Sequence, residues 1–228
     1  MIIQILSNLR DEGYLGKIHR TTVAPFFGGA NVAFRRSALD KIGGFDPKCI
    51  TGEDCDLCVR LSAADWELYL RRGAIVSHKN PSTLRHLVRQ WYGYGRYHPY
   101  VFAKHNDRAL ELYLRMRQPI DGERYACLYY RLFPVAIVVF LTQFLMLHLV
   151  ALWTLAMWIL GWTTASWVST GLTVLLAITY SWTDLKHSGP FLGFAFAFIR
   201  YVADMALFTG AFVGGLTQRM LYLSATVE

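Results

Sequence analysis

Apolar and charged positions divide the chain into two unequal parts. From Leu132 to Thr183 the sequence contains no Asp, Glu, Lys or Arg, whereas the preceding residues carry most of the charge. As one helix, this uncharged stretch of roughly 50 residues would extend about 75 Å, more than twice the hydrocarbon thickness of a bilayer. It is therefore predicted to cross a membrane more than once, with spans at about 132–160 and 165–183 and a break at 161–164.

A third apolar run, at about 190–215, contains Arg200 and Asp204 on one helical face. Each charge would be costly in lipid unless it is paired, so two interpretations stay open. The first is an intrahelical ion pair that faces other helices, and the second is a role in handling a lipid substrate. Tryptophans occur near the ends of the predicted spans, as amphipathic rings do at membrane interfaces: Trp153, Trp158, Trp162, Trp167 and Trp182. We therefore expect a multi-pass membrane protein with about three spans.

The positive charge of the chain is concentrated before the first predicted span. The net charge is +7, and nine Lys and Arg residues lie between Arg85 and Arg131. Such a flank marks the cytoplasmic side, so the predicted location is the cell inner membrane with the charged part before Leu132 in the cytoplasm. Because the charge adjoins a span, phosphates of lipid or nucleotide explain it better than nucleic acid, which is not an expected partner.

The cysteines do not indicate a metal or redox site. A cytoplasmic domain keeps its thiols reduced, so disulfide pairing is not expected. Cys55 and Cys58 spell C-x-x-C, but they fall within a predicted helix and lack a second cysteine or histidine pair at zinc spacing. The other two cysteines are Cys49 and Cys127.

Two short helices are predicted after a glycine pair, Gly28-Gly29, that permits a close backbone approach. Residues 31–35 are predicted to form a strand, and the first helix begins with Ser37 as its N-cap and ends at Gly43-Gly44. The second helix follows Thr51, with Leu57, Leu61 and Ala64 on its apolar face.

Glu53 and Asp54 fall in the first turn of this second helix. Backbone N–H groups at a helix start favour a charged carboxylate, the form that a general base needs. Acidic residues are also common helix caps, so a purely structural role is the alternative.

The remaining predicted elements follow from shorter patterns. In chain order they are a short helix at 1–9, an edge strand or an extended entry into the glycine turn at 20–27, strands at 66–71 and 74–76 ending at His78, an amphipathic basic and aromatic helix through 81–116, and a turn at 118–122.

The string GGANVAFRRSALDKIGGFDPKCITGEDCDLCVRL, residues 28–61, resembles the catalytic domain of family 2 glycosyltransferases. In these inverting enzymes of the GT-A fold, a GxNxxxRR strand leads through GGFD to an E-D-x-D-L box, and the match extends over about 26–96. The resemblance implies transfer of a sugar from a nucleotide-sugar donor to a lipid-linked or polysaccharide acceptor. The implied fold is an α/β, partial GT-A-like domain at 1–131, followed by an all-α transmembrane region at 132–228.

The resemblance also assigns roles to individual residues. It implies that Asp54 is the catalytic base, with Glu53 as its neighbour at the acceptor side. It implies that His78 is a ligand of a divalent metal, Mg²⁺ or Mn²⁺, held mostly by residues absent from this chain, although a structural role for this histidine stays open. The implied substrate-binding residues are Gly29, Asn31, Arg89, Gln90, Trp91 and Arg96.

The element around Arg89-Gln90-Trp91 resembles R-Q-W or Q-x-x-R-W, but its order differs from Q-x-x-R-W, so membership of the processive polysaccharide synthases does not follow. A helix lying at the membrane interface fits the same composition equally well.

One part of the family pattern is missing. Family members carry a nucleotide-binding half and a D-x-D metal pair before the GxNxxxRR strand, and only 27 residues precede Gly28. Asp54 and Asp56 spell D-x-D, but on a helix they point about 200° apart. We therefore expect the C-terminal portion of a transferase. The alternative is a membrane anchor or assembly subunit that docks with a partner chain carrying the donor-binding half.

Overall fold

The computed structural model describes residues 2–7, 13–14, 29–70, 75–77, 81–105, 110–118, 122–130 and 136–224. The helices are α1 (Arg36–Ile42), α2 (Glu53–Ala63), α3 (Leu84–His105), α4 (Gln143–Ile159) and α5 (Thr163–Thr217). The strands are β1 (Ile2–Ser7), β2 (Gly13–Tyr14), β3 (Tyr69–Leu70), β4 (Leu110–Gln118), β5 (Gly122–Tyr130), β6 (Ala136–Leu141) and β7 (Met220–Leu223). The predicted strand at 20–27 lies outside the described residues.

Helices α1 and α2 form a small unit with its own apolar core. Gly43 ends α1 in the left-handed conformation, at φ 77°, and its N–H bonds the Leu39 carbonyl, which confirms the predicted glycine stop. The predicted Ser37 cap is wrong, because α1 already begins at Arg36 and no side chain caps it. As predicted, α2 starts at Glu53. The core consists of Ala38, Leu57 and Leu61, with Phe34, Leu39, Ile42 and Trp66 packed around them.

Four predicted elements of the N-terminal part differ from the structure. Residues 1–9, predicted to be helical, contain β1, which pairs antiparallel with β5. The segment 31–35, predicted to be a strand, consists of the last residue of a 3₁₀ turn and four residues outside any regular element. Of the predicted strands at 66–71 and 74–76, the described residues contain only Tyr69–Leu70 as a strand, paired with β2. Short apolar runs fit a helix or a strand, and an available partner strand decides between them.

The predicted helix at 81–116 consists of two elements. α3 ends at His105, and from Leu110 the chain forms strand β4. Apolar leucine or methionine recurs at every second position of the first seven residues of β4, which is the period of a strand. The hairpin to β5 pairs Gln118 with Gly122, so the chain reverses where the turn was predicted.

The main sheet has the strand order β1-β5-β4-β6-β7. β5 is antiparallel to both of its neighbours, whereas β6 is parallel to β4 and to β7. β6 and β7 lie beyond residue 132, so the prediction of an all-α region there is wrong for these two strands. The core of this sheet joins both parts of the chain and contains Phe102, Tyr113, Ala136, Val138, Phe140, Ala211, Met220 and Tyr222.

The first predicted span, 132–160, is divided between β6 and α4. The β-branched run at 137–139 favours a strand. Thr142 then starts α4, and its hydroxyl accepts a backbone N–H of the first turn at 3.3 Å. α4 has 17 residues and is therefore about 25 Å long. Gly161, at φ 73°, connects α4 to α5 within the break predicted at 161–164.

Helix α5 is interrupted at Gly189, whose φ of 73° and ψ of 172° are not helical. The halves before and after this glycine pack antiparallel. Arg200 forms an ion pair with Asp184 at 2.7 Å, and the Tyr180 hydroxyl donates to Asp204. This ion pair of Arg200 therefore crosses between the halves, a contact that the sequence did not predict.

The surfaces of α4 and α5 expose many large apolar side chains. Among the described residues, one helix, Asp184–Thr217, is long and apolar enough to cross a membrane, and α4 is a shorter apolar helix. Exposed examples on both halves of α5 are Trp167, Val168, Val174, Leu175, Phe191, Phe194 and Phe198. The domain boundary at 131 stays a prediction, as does the number of spans.

Candidate active site

The carboxylate of Asp54 lies half-buried at the N-terminal end of α2. Its Oδ2 accepts the backbone N–H of Gly29 at 2.9 Å, and its Oδ1 accepts the N–H of Cys55 at 2.7 Å. Donors aimed at both oxygens, together with the positive end of the helix, create a favourable environment for negative charge. The fold thus joins Gly29 and Asp54, two residues proposed from the sequence that lie 25 positions apart.

The backbone N–H of Gly29, rather than its missing side chain, makes this contact. A Cβ at position 29 would lie 3.8 Å from Glu53 Oε1 and 3.9 Å from Asp54 Oδ2, which are ordinary contact distances. Glu53 therefore borders the same turn as Asp54. Asn31 ends that turn and is exposed.

Two positions along α2, Asp56 has the opposite environment. Its carboxylate is fully buried and contacts Arg60, Lys104 and His105, each at 2.7 Å. Burial alone would raise the pKa of Asp56, but the hydrogen bonds with Lys104, His105 and Arg60 outweigh it and hold the pKa below its ordinary value. Asp54 and Asp56 thus have separate partners, and Asp56 anchors α2 to the end of α3.

Lys104 extends this anchor to the turn after α1. Its Nζ lies 2.6 Å from Asp46 Oδ2, and the Tyr100 hydroxyl donates to the same oxygen at 3.2 Å. The hydrogen bond from Lys104 is the main cause that lowers the pKa of Asp46 to about 2. The sequence does not indicate this network, because no local pattern marks partners that lie 58 positions apart.

Helix α3 lies against the loop that leads into α2. The Thr51 hydroxyl donates to the Gly93 carbonyl at 3.4 Å, and a Cβ at Gly52 would meet the Val101 side chain at 3.2 Å. His98, which lies between these two contacts on α3, is close enough to Asp54 to interact with it electrostatically. The sequence alone does not indicate this histidine, since only the packing of α3 brings it near the carboxylate.

The four substrate-binding residues predicted on α3 have different surroundings. Arg89 and Arg96 are exposed, whereas Gln90 and Trp91 are half-buried. Gln90 Nε2 donates to the Tyr94 hydroxyl at 2.7 Å, and Trp91 packs edge to face on the Tyr94 ring, with centroids 5.5 Å apart. These contacts hold Gln90 and Trp91 on one side of the helix and leave both guanidinium groups at the surface.

The described residues contain no group of three or more His, Cys, Asp and Glu side chains that could hold a metal ion. His78 lies outside the described residues. Glu53 and Asp54 lie next to each other at the start of α2, but two carboxylates are fewer than the three side chains that such a metal-binding group requires. Burial raises the pKa of the Cys49 thiol to about 11 and that of the Cys55 thiol to about 12.

Comparison with known proteins agrees with the family resemblance of the residues around Asp54. Residues 15–201 match glycosyl transferase family group 2. A segment of 83 residues is 34% identical to the pre-mycofactocin glycosyltransferases of Mycobacterium tuberculosis strains CDC 1551 / Oshkosh and ATCC 25618 / H37Rv, and it covers 36% of this chain and 18% of each relative. The chain therefore matches less than a fifth of the length of these curated relatives. No solved structure matches it. Since the family match extends from before Gly29 into the second half of α5, the chain belongs to glycosyl transferase family group 2.

Proposed function

We propose that the chain is part of a membrane-bound glycosyltransferase that transfers a sugar, with inversion, from a nucleotide-sugar donor to a lipid-linked or polysaccharide acceptor. The observation that carries this proposal is the position of Asp54. A half-buried carboxylate at a helix N-terminus, held by the N–H of Gly29, is oriented and remains partly accessible. Family membership supplies the reaction class.

In the proposed reaction, Asp54 takes the proton from an acceptor hydroxyl. The acceptor oxygen then forms a bond to the anomeric carbon of the donor sugar, while the bond from that carbon to the nucleotide diphosphate breaks on the opposite face. Attack from that face inverts the configuration of the anomeric carbon. General-base assistance of this kind contributes a factor of about 10² to 10⁴ in rate.

Residues on α3 are proposed to bind the two substrates. Arg89 and Arg96 are exposed cations whose planar guanidinium groups suit the oxygens of a diphosphate. Gln90 and Trp91, fixed by Tyr94, offer an amide and an aromatic surface for the acceptor. A divalent metal, with His78 among its ligands, would neutralise charge on the departing diphosphate.

The apolar helices support a location in the membrane. Asp184–Thr217 has the length and composition of a span, and α4 and the first half of α5 add exposed apolar surface beside it. Three antiparallel helical segments suit a chain that crosses three times. The basic segment before β6 then lies on the cytoplasmic side.

Sugar transfer by membranes that contain the full-length enzyme tests the role of Asp54. Asp54→Asn keeps the shape of the side chain and removes its basicity, so we expect the rate of transfer to fall by about 10² or more while binding of the sugar nucleotide persists. Asp40→Asn is the matched control, because Asp40 is exposed on α1, where it pairs with the exposed Arg36. Transfer by Asp54→Asn at the rate of the control would refute the assignment.

The same membranes test the alternative of an assembly subunit. Two results together would identify an anchor rather than a transferase. The chain alone would turn over no donor but would co-purify with a separate donor-binding polypeptide, and Asp54→Asn would leave the activity of that complex unchanged.

A further inference from the structure

His98 lies on the side of α3 that packs along α2. A Cβ at Gly52 would meet the Val101 side chain at 3.2 Å, and His105 Nε2 lies 2.7 Å from Asp56 Oδ1. From the first contact to the second, both helices advance by four residues, so they run side by side in the same direction. His98 precedes Val101 by about one turn and is therefore level with the N-terminal end of α2.

The Asp54 carboxylate lies at this same end of α2. Side chains on a helix are tilted towards its N-terminus, and the hydrogen bond from the Gly29 N–H holds the carboxylate there. Among the titratable groups of the described residues, Asp54 is the one whose charge acts on His98. The His98 side chain is exposed, and its ring forms no hydrogen bond within the described part of the chain. An exposed imidazole therefore lies beside the proposed base.

Gln90 and Tyr94 extend the flank of α3 that carries His98. These three residues follow one another at intervals of four, so at about 100° per residue they lie within about 80° of one another around the helix. The row from Gln90 to His98 is about 12 Å long. Gln90 Nε2 donates to the Tyr94 hydroxyl at 2.7 Å, and Trp91 packs on the Tyr94 ring. Polar and aromatic groups thus form a row that leads towards Asp54.

The arginines proposed to bind the diphosphate project from the other flank of α3. Arg89 and Arg96 lie about 180° and 160° from His98 around the helix. On the His98 side, the charged groups at the start of α2 are the carboxylates of Glu53 and Asp54, which would repel an acceptor that ends in a phosphate. Hydroxyl groups can donate to carboxylates. The charges on this side of α3 therefore favour an acceptor that ends in a sugar.

We propose that His98 binds a sugar hydroxyl of the acceptor and thereby orients the neighbouring hydroxyl towards Asp54. A neutral imidazole carries one N–H in either tautomer, so it can donate to the oxygen of the bound hydroxyl. No bond forms or breaks at His98, and the proton of the reacting hydroxyl goes to Asp54. This inference rests on the proposed function and specifies its acceptor class, a glycan that ends in a vicinal diol. Gln90 and Trp91 would contact the acceptor further along the row.

Partition of the donor sugar between acceptor and water tests this inference in the whole enzyme. The enzyme is placed in phosphatidylcholine nanodiscs and supplied with a panel of UDP-, GDP- and dTDP-sugars. A detergent extract of native membranes, which contains lipid-linked and polymeric glycans, is added stepwise as the acceptor. Sugar incorporated into the extract measures transfer, and free sugar released into solution measures hydrolysis. Loss of acceptor positioning lowers the ratio of transfer to hydrolysis, because water does not need to be oriented by His98.

Two variants of His98 separate hydrogen bonding from packing. His98→Leu removes the donor and should lower the ratio of transfer to hydrolysis by about tenfold. His98→Gln retains a side-chain N–H and should lower this ratio by less than about threefold. His86→Leu is the matched control, because His86 is exposed on the same helix about three turns away, and it should leave the ratio unchanged.

Oxidation of the extract tests the acceptor class. Periodate cleaves vicinal diols and leaves phosphate esters intact, so a glycan that ends in such a diol loses its capacity as an acceptor. We expect oxidation to remove most of the transfer while hydrolysis of the donor continues. Extract treated with spent reagent is the control.

The outcomes distinguish this inference from the proposed function on which it rests. An enzyme that neither transfers nor hydrolyses any donor of the panel, or an Asp54→Asn variant as active as the wild type in both reactions, would reject the proposed function. A ratio for His98→Leu equal to that of His86→Leu or of His98→Gln would overturn the inference alone. Undiminished transfer to oxidised extract would overturn it too, as would a parallel loss of transfer and hydrolysis in His98→Leu, which a purely structural role predicts.

Discussion

Two aspartates on α2 have opposite environments because their side chains leave the helix in different directions. Asp54 and Asp56 are about 200° apart around the axis. Asp54 is directed to the Gly29 turn and remains partly accessible, whereas Asp56 is fully buried among Arg60, Lys104 and His105. Accessibility suits the exchange of a proton with a substrate, and burial among three basic groups suits an anchor.

The N–H of Gly29 can be removed without changing Asp54. Gly29→Pro eliminates the donor that holds Oδ2, whereas Gly29→Ala keeps the N–H and adds a Cβ at ordinary contact distances. Removing a hydrogen bond to a charged group costs about 1.5 to 3 kcal/mol, so we expect the proline variant to transfer sugar at least about tenfold more slowly than the alanine variant. Equal rates in membrane assays would show that this hydrogen bond does not orient the base.

Asp56→Asn should destabilise the protein without removing the proposed base. Loss of the carboxylate breaks its charged contacts with Arg60 and Lys104, whose side chains are 20% and 28% exposed, and loss of a hydrogen bond to a charged group costs about 1.5 to 3 kcal/mol. Asp40→Asn removes a surface ion pair and should cost less than about 1 kcal/mol. Thermal unfolding in detergent measures both, and equal midpoints would contradict an anchoring role.

The same network predicts a loss of stability in acid. The pKa values of Asp46 and Asp56 are lower in the folded chain than in the unfolded chain, where the ordinary value is 3.8. The network therefore contributes fully above about pH 4 and loses its contribution as the pH falls towards the Asp46 value of about 2. In unfolding experiments between pH 5 and 2, the Asp56→Asn variant should show a smaller decrease in stability than the wild type.

At the scale of elements, glycines determine how α3 packs on α5. Gly95, Gly210 and Gly214 are sites at which the two helix backbones approach so closely that a Cβ has no room. Gly210 and Gly214 form a G-x-x-x-G sequence, a spacing that puts both residues on one helical face and is common where helices pack in membranes. Periodicity in the sequence predicts α3, but it does not predict this partner.

Gly95→Ala should weaken the contact between α3 and α5. The added methyl group overlaps the Leu207 carbonyl oxygen, and overpacking of this kind costs about 1 to 3 kcal/mol. Gly93→Ala is the matched control, because nothing lies within 4 Å of its Cβ position, and replacing a helical glycine there should stabilise α3 by about 0.5 to 1 kcal/mol. Opposite shifts of the unfolding midpoint are expected, and shifts of the same sign would contradict the packing.

At the scale of the whole molecule, the two parts of the chain share one sheet. β6 and β7, from the apolar region, complete the sheet begun by β1, β4 and β5. The buried cluster around Phe140 and Tyr222 includes Phe102 of α3 and Ala211 of α5. The N-terminal part and the apolar helical part are therefore connected by side-chain packing as well as by the chain itself.

An acidic residue on the apolar helical surface tests whether that surface faces lipid. Phe198 is 60% exposed near the middle of Asp184–Thr217, and Ile50 is 65% exposed in the loop before α2. In lipid, Phe198→Asp costs about 2.5 to 3.5 kcal/mol of insertion free energy, whereas Ile50→Asp faces water and should be neutral. Carbonate extraction of membranes should release a larger fraction of the Phe198→Asp chain, and equal retention of both variants would count against a lipid-facing surface.

Local patterns in the sequence were sufficient for the features that depend on neighbouring residues. Four features are properties of short segments: the uncharged stretch, the glycine stop of α1, the start of α2 with Glu53 and Asp54, and the family string around these two residues. The structure or the family match agrees with these features. Only the tertiary structure decided which segments became β1, β6 and β7, that Arg200 pairs with Asp184, and that Asp56 is enclosed by Lys104 and His105. These contacts join residues far apart in the chain, so their free energy exists only once the fold has brought the partners together.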